Sequence, residues 1–220
     1  RDEARHCAAW FPVAGAAAGA PPRTIAVIHV LGVLMKAESS TEESSSTIRL
    51  RRDIRTAAAD SEVAAILLAI DSPGGTVAGT DDLAREVRSA RQRKPVWAQV
   101  EDLGASAAYW GASQAERIYA NSDSALVGSI GTLLALYDLS AAAEKEGIKT
   151  FVFATGPMKG AATPGAPITA EQQGYFQRLV EETQVVFDEA VRSGRGFSAE
   201  QLAAVRSGEV FTAPAALQRG

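Results

Sequence analysis

The chain has 220 residues, a formal charge of −4 and 46% apolar residues. That is enough for one core of ordinary size, with no basic excess to recruit nucleic acid or an anionic membrane surface. Its single cysteine, Cys7, excludes an internal disulfide framework.

No stretch approaches the roughly 20 uninterrupted apolar residues of a membrane span. The best run, 25–35, is interrupted by His29. Residues 1–23, with an Ala-Gly-rich stretch at 14–20, lack the charged-then-apolar order of a signal peptide. They are expected to form an N-terminal extension ahead of a single domain over 24–220.

Residues 25–35 are apolar and β-branched and predict a first strand, buried on both faces of a covered sheet. The segment 37–47 is almost wholly Ser, Thr and Glu, which buries nothing and predicts a mobile loop of lid-like length. A helix over 48–59 and a strand over 63–70 follow, ending in the turn Asp71-Ser72-Pro73-Gly74-Gly75.

The pattern repeats with a helix over 81–91, a strand over 95–100 and a helix over 105–113. Next come extended runs at 117–120 and 125–137, a helix from about Leu139 closed by Gly147, and a strand over 148–154. Thr169-Ala170-Glu171-Gln172 and Ser198-Ala199-Glu200-Gln201 match the capping-box order and predict two long helices, the first broken by Ser193-Gly194-Arg195-Gly196.

On the first of these, Phe176, Leu179, Val180, Thr183 and Phe187 share one face, expected to cover something apolar in the protomer or in a partner. A helix-like stretch at 213–218 ends the chain, and a further C-terminal portion is expected beyond it. Strands alternating with helices predict an α/β domain with largely parallel pairing.

Two residues stand out chemically. Ser106, in Gly104-Ala105-Ser106-Ala107-Ala108-Tyr109, sits on a tight turn of small residues at the head of a helix, where a hydroxyl can be presented free. The competing role is an ordinary N-cap. Lys159, in Thr155-Gly156-Pro157-Met158-Lys159-Gly160, has uncharged neighbours. It can serve as a base only if desolvated, because a lysine in water titrates near 10.4.

Histidine is nearly absent: His6 lies in the N-terminal stretch, His29 lies in the first strand, and none follows Ser106. If Ser106 is a nucleophile, its base is therefore not imidazole. The turn at Gly74-Gly75 can face main-chain N–H groups outward, which makes Gly75 and Ala107 candidate oxyanion donors. Asp71, Asp102, Asp123 and Asp138 read as turn and cap residues. No cluster has metal-ligand spacing and no glycine loop matches a phosphate-binding pattern, so no cofactor is expected.

Taken together, the first strand, Asp71-Ser72-Pro73-Gly74-Gly75, Ala105-Ser106-Ala107-Ala108-Tyr109, Val127-Gly128-Ser129-Ile130-Gly131 and the Lys159 motif resemble the signal peptide peptidase A (protease IV) family, which includes phage prohead protease C-type enzymes. The resemblance runs from about Thr24 to Gln218. It implies the Clp protease/crotonase fold of repeated strand-strand-helix units and a Ser/Lys dyad.

In that reading Ser106 is the nucleophile, Lys159 the general base and Ser129 the hydroxyl that orients the lysine. Gly75 and Ala107 hold the oxyanion, and Gly74 and Gly128 contribute to substrate binding. The resemblance also implies a peptide or unfolded-protein substrate and a homo-oligomeric ring in which serine and lysine come from neighbouring subunits. Membrane association would require a segment outside these residues. Two other readings stay open at this stage: a crotonase-like enzyme acting on acyl-CoA, and a catalytically idle ring scaffold.

Overall fold

The computed structural model describes residues 9–12, 24–41 and 43–220. The remainder of the N-terminal extension, with Cys7 and His6, lies outside the described residues. The chain groups into two compact units: Thr132–Val185 forms one, and the residues up to Gly131 and from Val186 to Gly220 form the other.

The first unit opens with β1 (Ala9–Pro12), β2 (Thr24–Met35), β3 (Ser44–Ser46), α1 (Thr47–Ala59) and β4 (Val63–Gly75). It continues with α2 (Thr80–Arg91), β5 (Val96–Ala105), α3 (Ala107–Ala112), β6 (Arg117–Ala120) and β7 (Leu126–Gly128). After α4 (Ser140–Lys145) and the start of α5 (Ala170–Arg195), both in the second unit, it closes with the end of α5, α6 (Ala199–Ala203), β8 (Val210–Thr212) and α7 (Ala213–Leu217).

The strands form one mixed sheet in the order β1-β2-β4-β5-β7-β8, with β3 beside β2 and β6 beside β5. β2 through β7 pair in parallel, and β1 and β8 are antiparallel. This is the expected α/β architecture.

The main core lies between the sheet and α1, α2 and α3. Ala26, Ile28, Val30, Leu34, Ile66, Leu68 and Ile70 meet Leu50, Ile54, Leu83, Val87, Ala108 and Ala112 there. A second core surrounds the stack of Trp110 on Phe187, whose ring centroids are 4.5 Å apart, and adds Ile130, Val191, Phe197, Leu202 and Val205. Trp110 lies on the helix that starts just after Ser106, so this core anchors that helix to the end of α5.

Several expectations need correction. β2 is deeply buried on one face; on the other Val27 is buried, and Ile25, His29, Leu31 and Val33 are half-exposed. The Ser-rich loop is partly ordered, because Ser45 replaces a missing ladder partner: its Oγ accepts the Leu31 N–H at 2.9 Å and donates to the Leu31 carbonyl at 2.8 Å. The turn 71–75 belongs to β4 itself.

Gly194 does not break α5. A Cβ there would lie 2.4 Å from the Ser113 carbonyl oxygen and 2.6 Å from Gln114 Nε2, so the glycine serves close packing, and the helix runs on to Arg195 before Gly196 at φ +70°. α6 is only five residues, although its capping box forms as expected. The strand expected over 125–137 stops at Gly128, where left-handed conformations at Gly128 (φ +116°) and Ser129 (φ +51°) end the extended backbone. β8, unforeseen in the sequence, pairs with it.

Lys94 caps the carboxyl end of α1. Its Nζ donates to the Ala57 carbonyl at 2.9 Å and also to that of Asp60. Charge and orphan carbonyls favour each other there. Lys94→Met is expected to cost about 1–2 kcal/mol, read as a lower urea midpoint at unchanged denaturant slope.

In the second unit, the strand expected over 148–154 is absent, and neither 132–139 nor 148–154 has a ladder partner among the described residues. α4 ends at Gly147 (φ +70°) as expected. Asp138 is the turn residue expected: Oδ1 accepts the Ser140 N–H and hydroxyl, and Oδ2 accepts the Ile168 N–H. Those bonds, the Ser140 hydroxyl first, hold its carboxyl below the usual carboxylate range. The Thr169–Gln172 capping pair forms at the start of α5. Along the apolar face of α5, Phe187 is buried, Phe176, Val180 and Thr183 are half-buried, and Leu179 is exposed.

Candidate active site

The first unit brings six of the seven expected site residues onto three neighbouring strand ends. β4 delivers Gly74 and Gly75, β5 delivers Ser106 and Ala107 where it turns into α3, and β7 delivers Gly128 and Ser129. Ser72 pairs with Gly104 and Ala105 with Gly128, so these ends meet at one level of the sheet.

Ser106 has φ +51° and ψ −122°, a conformation that costs an L-residue on the order of 1–3 kcal/mol. Its side chain makes no cap hydrogen bond. The N-cap role is therefore not the one it plays. A serine on a strained strand-to-helix turn, with a hydroxyl not engaged in capping, is a geometry that can serve a nucleophile. Main-chain bonds hold the strain in place: the Ser106 N–H donates to the Gly128 carbonyl at 2.9 Å, and the Trp110 N–H donates to the Ser106 carbonyl at 2.9 Å.

Gly74 packs against this turn. At φ +94°, a Cβ on it would stand 2.7 Å from Ser106 Cβ, 2.7 Å from the Ala107 nitrogen and 2.8 Å from the Ala105 carbonyl oxygen. Only glycine fits. Gly75 is exposed. Because the following N–H, of Thr76, bonds to the Leu34 carbonyl at 2.9 Å, strand alternation turns the Gly75 N–H to the opposite edge, the side of β5. Ala107 is the first residue of α3, so its N–H has no intrahelical acceptor.

Ser129 is half-buried at φ +51°, with its N–H held by the Glu209 carbonyl at 2.6 Å. That contact fixes the Gly128–Ser129 turn from the residue just before β8, a support with no sequence signal beyond the glycine itself. Three residues after Ser106, burial pushes the Tyr109 phenol above its ordinary range, with Arg195 opposing. It is protonated at neutral pH and is no base. No metal-holding group of His, Cys, Asp and Glu exists among the described residues.

Lys159 belongs to the second unit. It sits on a turn in which its N–H donates to the Gly156 carbonyl at 3.1 Å. Its neighbour Gly160 packs on Val152, whose Cγ1 would be 2.3 Å from a Cβ there. Gln172, at the start of α5, donates from Nε2 to the Pro157 carbonyl at 2.9 Å and braces the loop. The lysine itself is exposed within its own chain. No helix among the described residues is long and apolar enough to cross a membrane.

Comparison with known proteins agrees with this architecture. The chain is 32% identical over 192 residues to capsid assembly protease C of Escherichia phage lambda, covering 84% of this chain and 44% of that protein. It is 29% identical over 202 residues to the chloroplastic serine protease SPPA of Arabidopsis thaliana, covering 89% of this chain and 29% of that protein. It is 28% identical over 200 residues to protease 4 of Haemophilus influenzae, covering 90% and 32%. The chain thus spans less than half the length of these relatives.

Among solved structures, a variant of the 1510-N membrane-bound stomatin-specific protease superposes with a TM-score of 0.52 at 17% identity. The match covers 89% of this chain and 76% of that one. It supports the Clp protease/crotonase-like fold. The pattern of peptidase family S49 matches residues 88–220, a span that runs from α2 through the Ser106 turn and the Lys159 loop to the last residue, and the chain belongs to that family.

Proposed function

We propose that this chain is a serine endopeptidase with a Ser106/Lys159 dyad assembled between copies, acting on extended peptides with small or apolar side chains. The observation that carries the reading is the strained Ser106 turn, with an uncapped hydroxyl and the Ala107 N–H packed against Gly74.

In the first step Ser106 Oγ bonds to the scissile carbonyl carbon as its proton passes to the neutral Lys159 amine. The carbonyl oxygen becomes an oxyanion held by the Gly75 and Ala107 N–H groups. Collapse breaks the C–N bond, and Lys159 returns the proton to the leaving amine. Water then attacks the acyl-enzyme with Lys159 again as base, releasing the carboxylic acid and restoring the serine. Ser129, by family resemblance, orients the lysine. Gly74 and Gly128, which lack side chains, leave the peptide backbone room to lie beside the strand ends.

A lysine open to water is protonated at neutral pH and is no base. Since Lys159 is exposed in the single chain, this mechanism requires a covering surface, and a second copy supplies it. The second unit has the matching need. Leu133 is 85% exposed, Tyr137 81%, Phe151 75% and Phe153 95%, all on segments that form neither helix nor strand. Large exposed apolar side chains grouped in this way are sites of chain-to-chain contact. The relative from phage lambda is named for capsid assembly, and a phage-like scaffold substrate or a remnant signal peptide both suit a small-residue, extended cleavage segment.

The pH profile tests the base. Deprotonated lysine is the active form in this mechanism, so kcat/KM is expected to rise with pH. A profile that is flat or falls as pH rises would overturn Lys159 as the base. Covalent labelling by a fluorophosphonate probe, present in the wild type and absent in Ser106→Ala, separates the peptidase from an acyl-CoA enzyme or an idle scaffold.

A further inference from the structure

The ladders on either side of β4 lose their regular pairing at one level. β2 pairs Leu31 with Asp71 and Val33 with Gly74, so Gly32, at φ +61°, stands opposite both Ser72 and Pro73. The β4–β5 ladder shifts between Ile70 and Ser72. Such an irregularity takes main-chain groups out of the ladder, and buried main-chain groups need partners. Ser72 is fully buried and its hydroxyl provides for two of them. Its Oγ donates to the Gly32 carbonyl at 2.6 Å and accepts the Gly74 N–H at 3.2 Å.

We propose that Ser72 is a positioning residue for the oxyanion turn, its hydroxyl fixing the direction of the Gly75 N–H through Gly74. The inference rests on the reading of Gly75 and Ala107 as oxyanion donors. Gly74 and Gly75 have no side chains to hold them, so only main-chain anchors limit rotation of the peptide between them. On the far side the Thr76 N–H is held by Leu34. On the near side the β2 ladder resumes with Val33 opposite Gly74 and Leu34 opposite Gly75, and Ser72 adds a side-chain bond that ties the Gly74 N–H to β2 where the register has just shifted, while Gly74 lies against Ser106 and Ala107. The Gly75 N–H thus lies between two fixed points. A donor of this kind acts only when it already stands within about 2.7–3.1 Å of the place where the oxyanion forms.

Ser72→Ala deletes both bonds, and Ser72→Cys retains most of the volume with a weak donor. Steady-state kinetics on an alanine-rich fluorogenic peptide are measured for both, with inhibition by a peptide boronate, whose tetrahedral serine adduct places an oxygen in the hole. In Ser72→Ala, kcat is expected to fall about 10–100-fold, less than the roughly 10²–10³ for losing a donor outright, with KM changed by less than about threefold. Boronate inhibition is expected to weaken by the same factor as kcat/KM, and Ser72→Cys to lie between wild type and alanine.

Wild-type kcat in either variant, or a loss confined to KM or to the urea midpoint, would overturn the proposal. Where the alanine variant does not fold, the cysteine variant decides. Ser106→Ala separates the two levels of the argument: an active Ser106→Ala overturns the serine reading beneath this one, whereas an inactive Ser106→Ala beside a fully active Ser72→Ala overturns Ser72 alone.

Discussion

Ser106→Ala and Lys159→Ala are each expected to lower kcat on the order of 10⁴–10⁶-fold while the urea midpoint stays near that of the wild type. Both side chains are outside the cores: Ser106 is half-buried and makes no cap bond, and Lys159 is exposed in its own chain. Stability should therefore be indifferent to their removal. Alanine at 106 also relieves nothing, since its φ of +51° is as unfavourable for alanine as for serine.

Lys159→Arg is expected to be as inactive as Lys159→Ala, because a guanidinium keeps its proton at any pH at which the protein is folded. Near-normal turnover in either lysine variant, with folding intact, would remove Lys159 from the mechanism and leave Ser106 in need of another base.

Gly74→Ala is expected to abolish activity and also to destabilise the fold, which distinguishes it from the dyad variants. The new methyl would meet Ser106 Cβ, the Ala107 nitrogen and the Ala105 carbonyl oxygen, all below 3.0 Å. None of the three is the flexible end of a side chain. The backbone must shift, and what shifts is the turn that carries the proposed nucleophile and the proposed oxyanion donor Ala107. Together with φ of +94°, the cost is roughly 2–4 kcal/mol, and turnover should fall at least about 10³-fold, since both catalytic elements move.

Gly111→Ala, on the following helix, is the control. Its Cβ would meet nothing closer than Leu83 Cδ2 at 3.8 Å, an ordinary contact, and alanine suits a helix better than glycine by about 1 kcal/mol. A Gly74→Ala protein as stable and active as Gly111→Ala would contradict the packing of the turn.

The sequence made some features legible and hid others, for reasons that can be traced to particular residues. Strands with an internal partner, such as Val63–Ile70 and Val96–Val100, announce themselves because burial there requires β-branched and apolar side chains. The segments 132–139 and 148–154 carry the same composition yet have no ladder partner in the single chain. Composition records that a surface must be covered, not which molecule covers it.

Ser106 and Gly74-Gly75 were visible through small residues and glycines that only close approach requires. The role of Ser72 was not, although it lies inside the same motif. Its part depends on a bulge at Gly32, some forty positions earlier in the chain, and a glycine within an apolar strand was the only trace of it. β8 was missed because a three-residue edge strand carries too little pattern to be told from a loop.

In the proposed dyad, Ser106 of one copy works with Lys159 of another. Mixing inactive Ser106→Ala with inactive Lys159→Ala puts that pairing to the test. In randomly mixed assemblies, about a quarter of the interfaces join an intact serine to an intact lysine, so activity near a quarter of wild type is expected to return. Mixed assemblies verified by mass and still without peptidase activity would contradict a dyad shared between copies and place both residues in one chain.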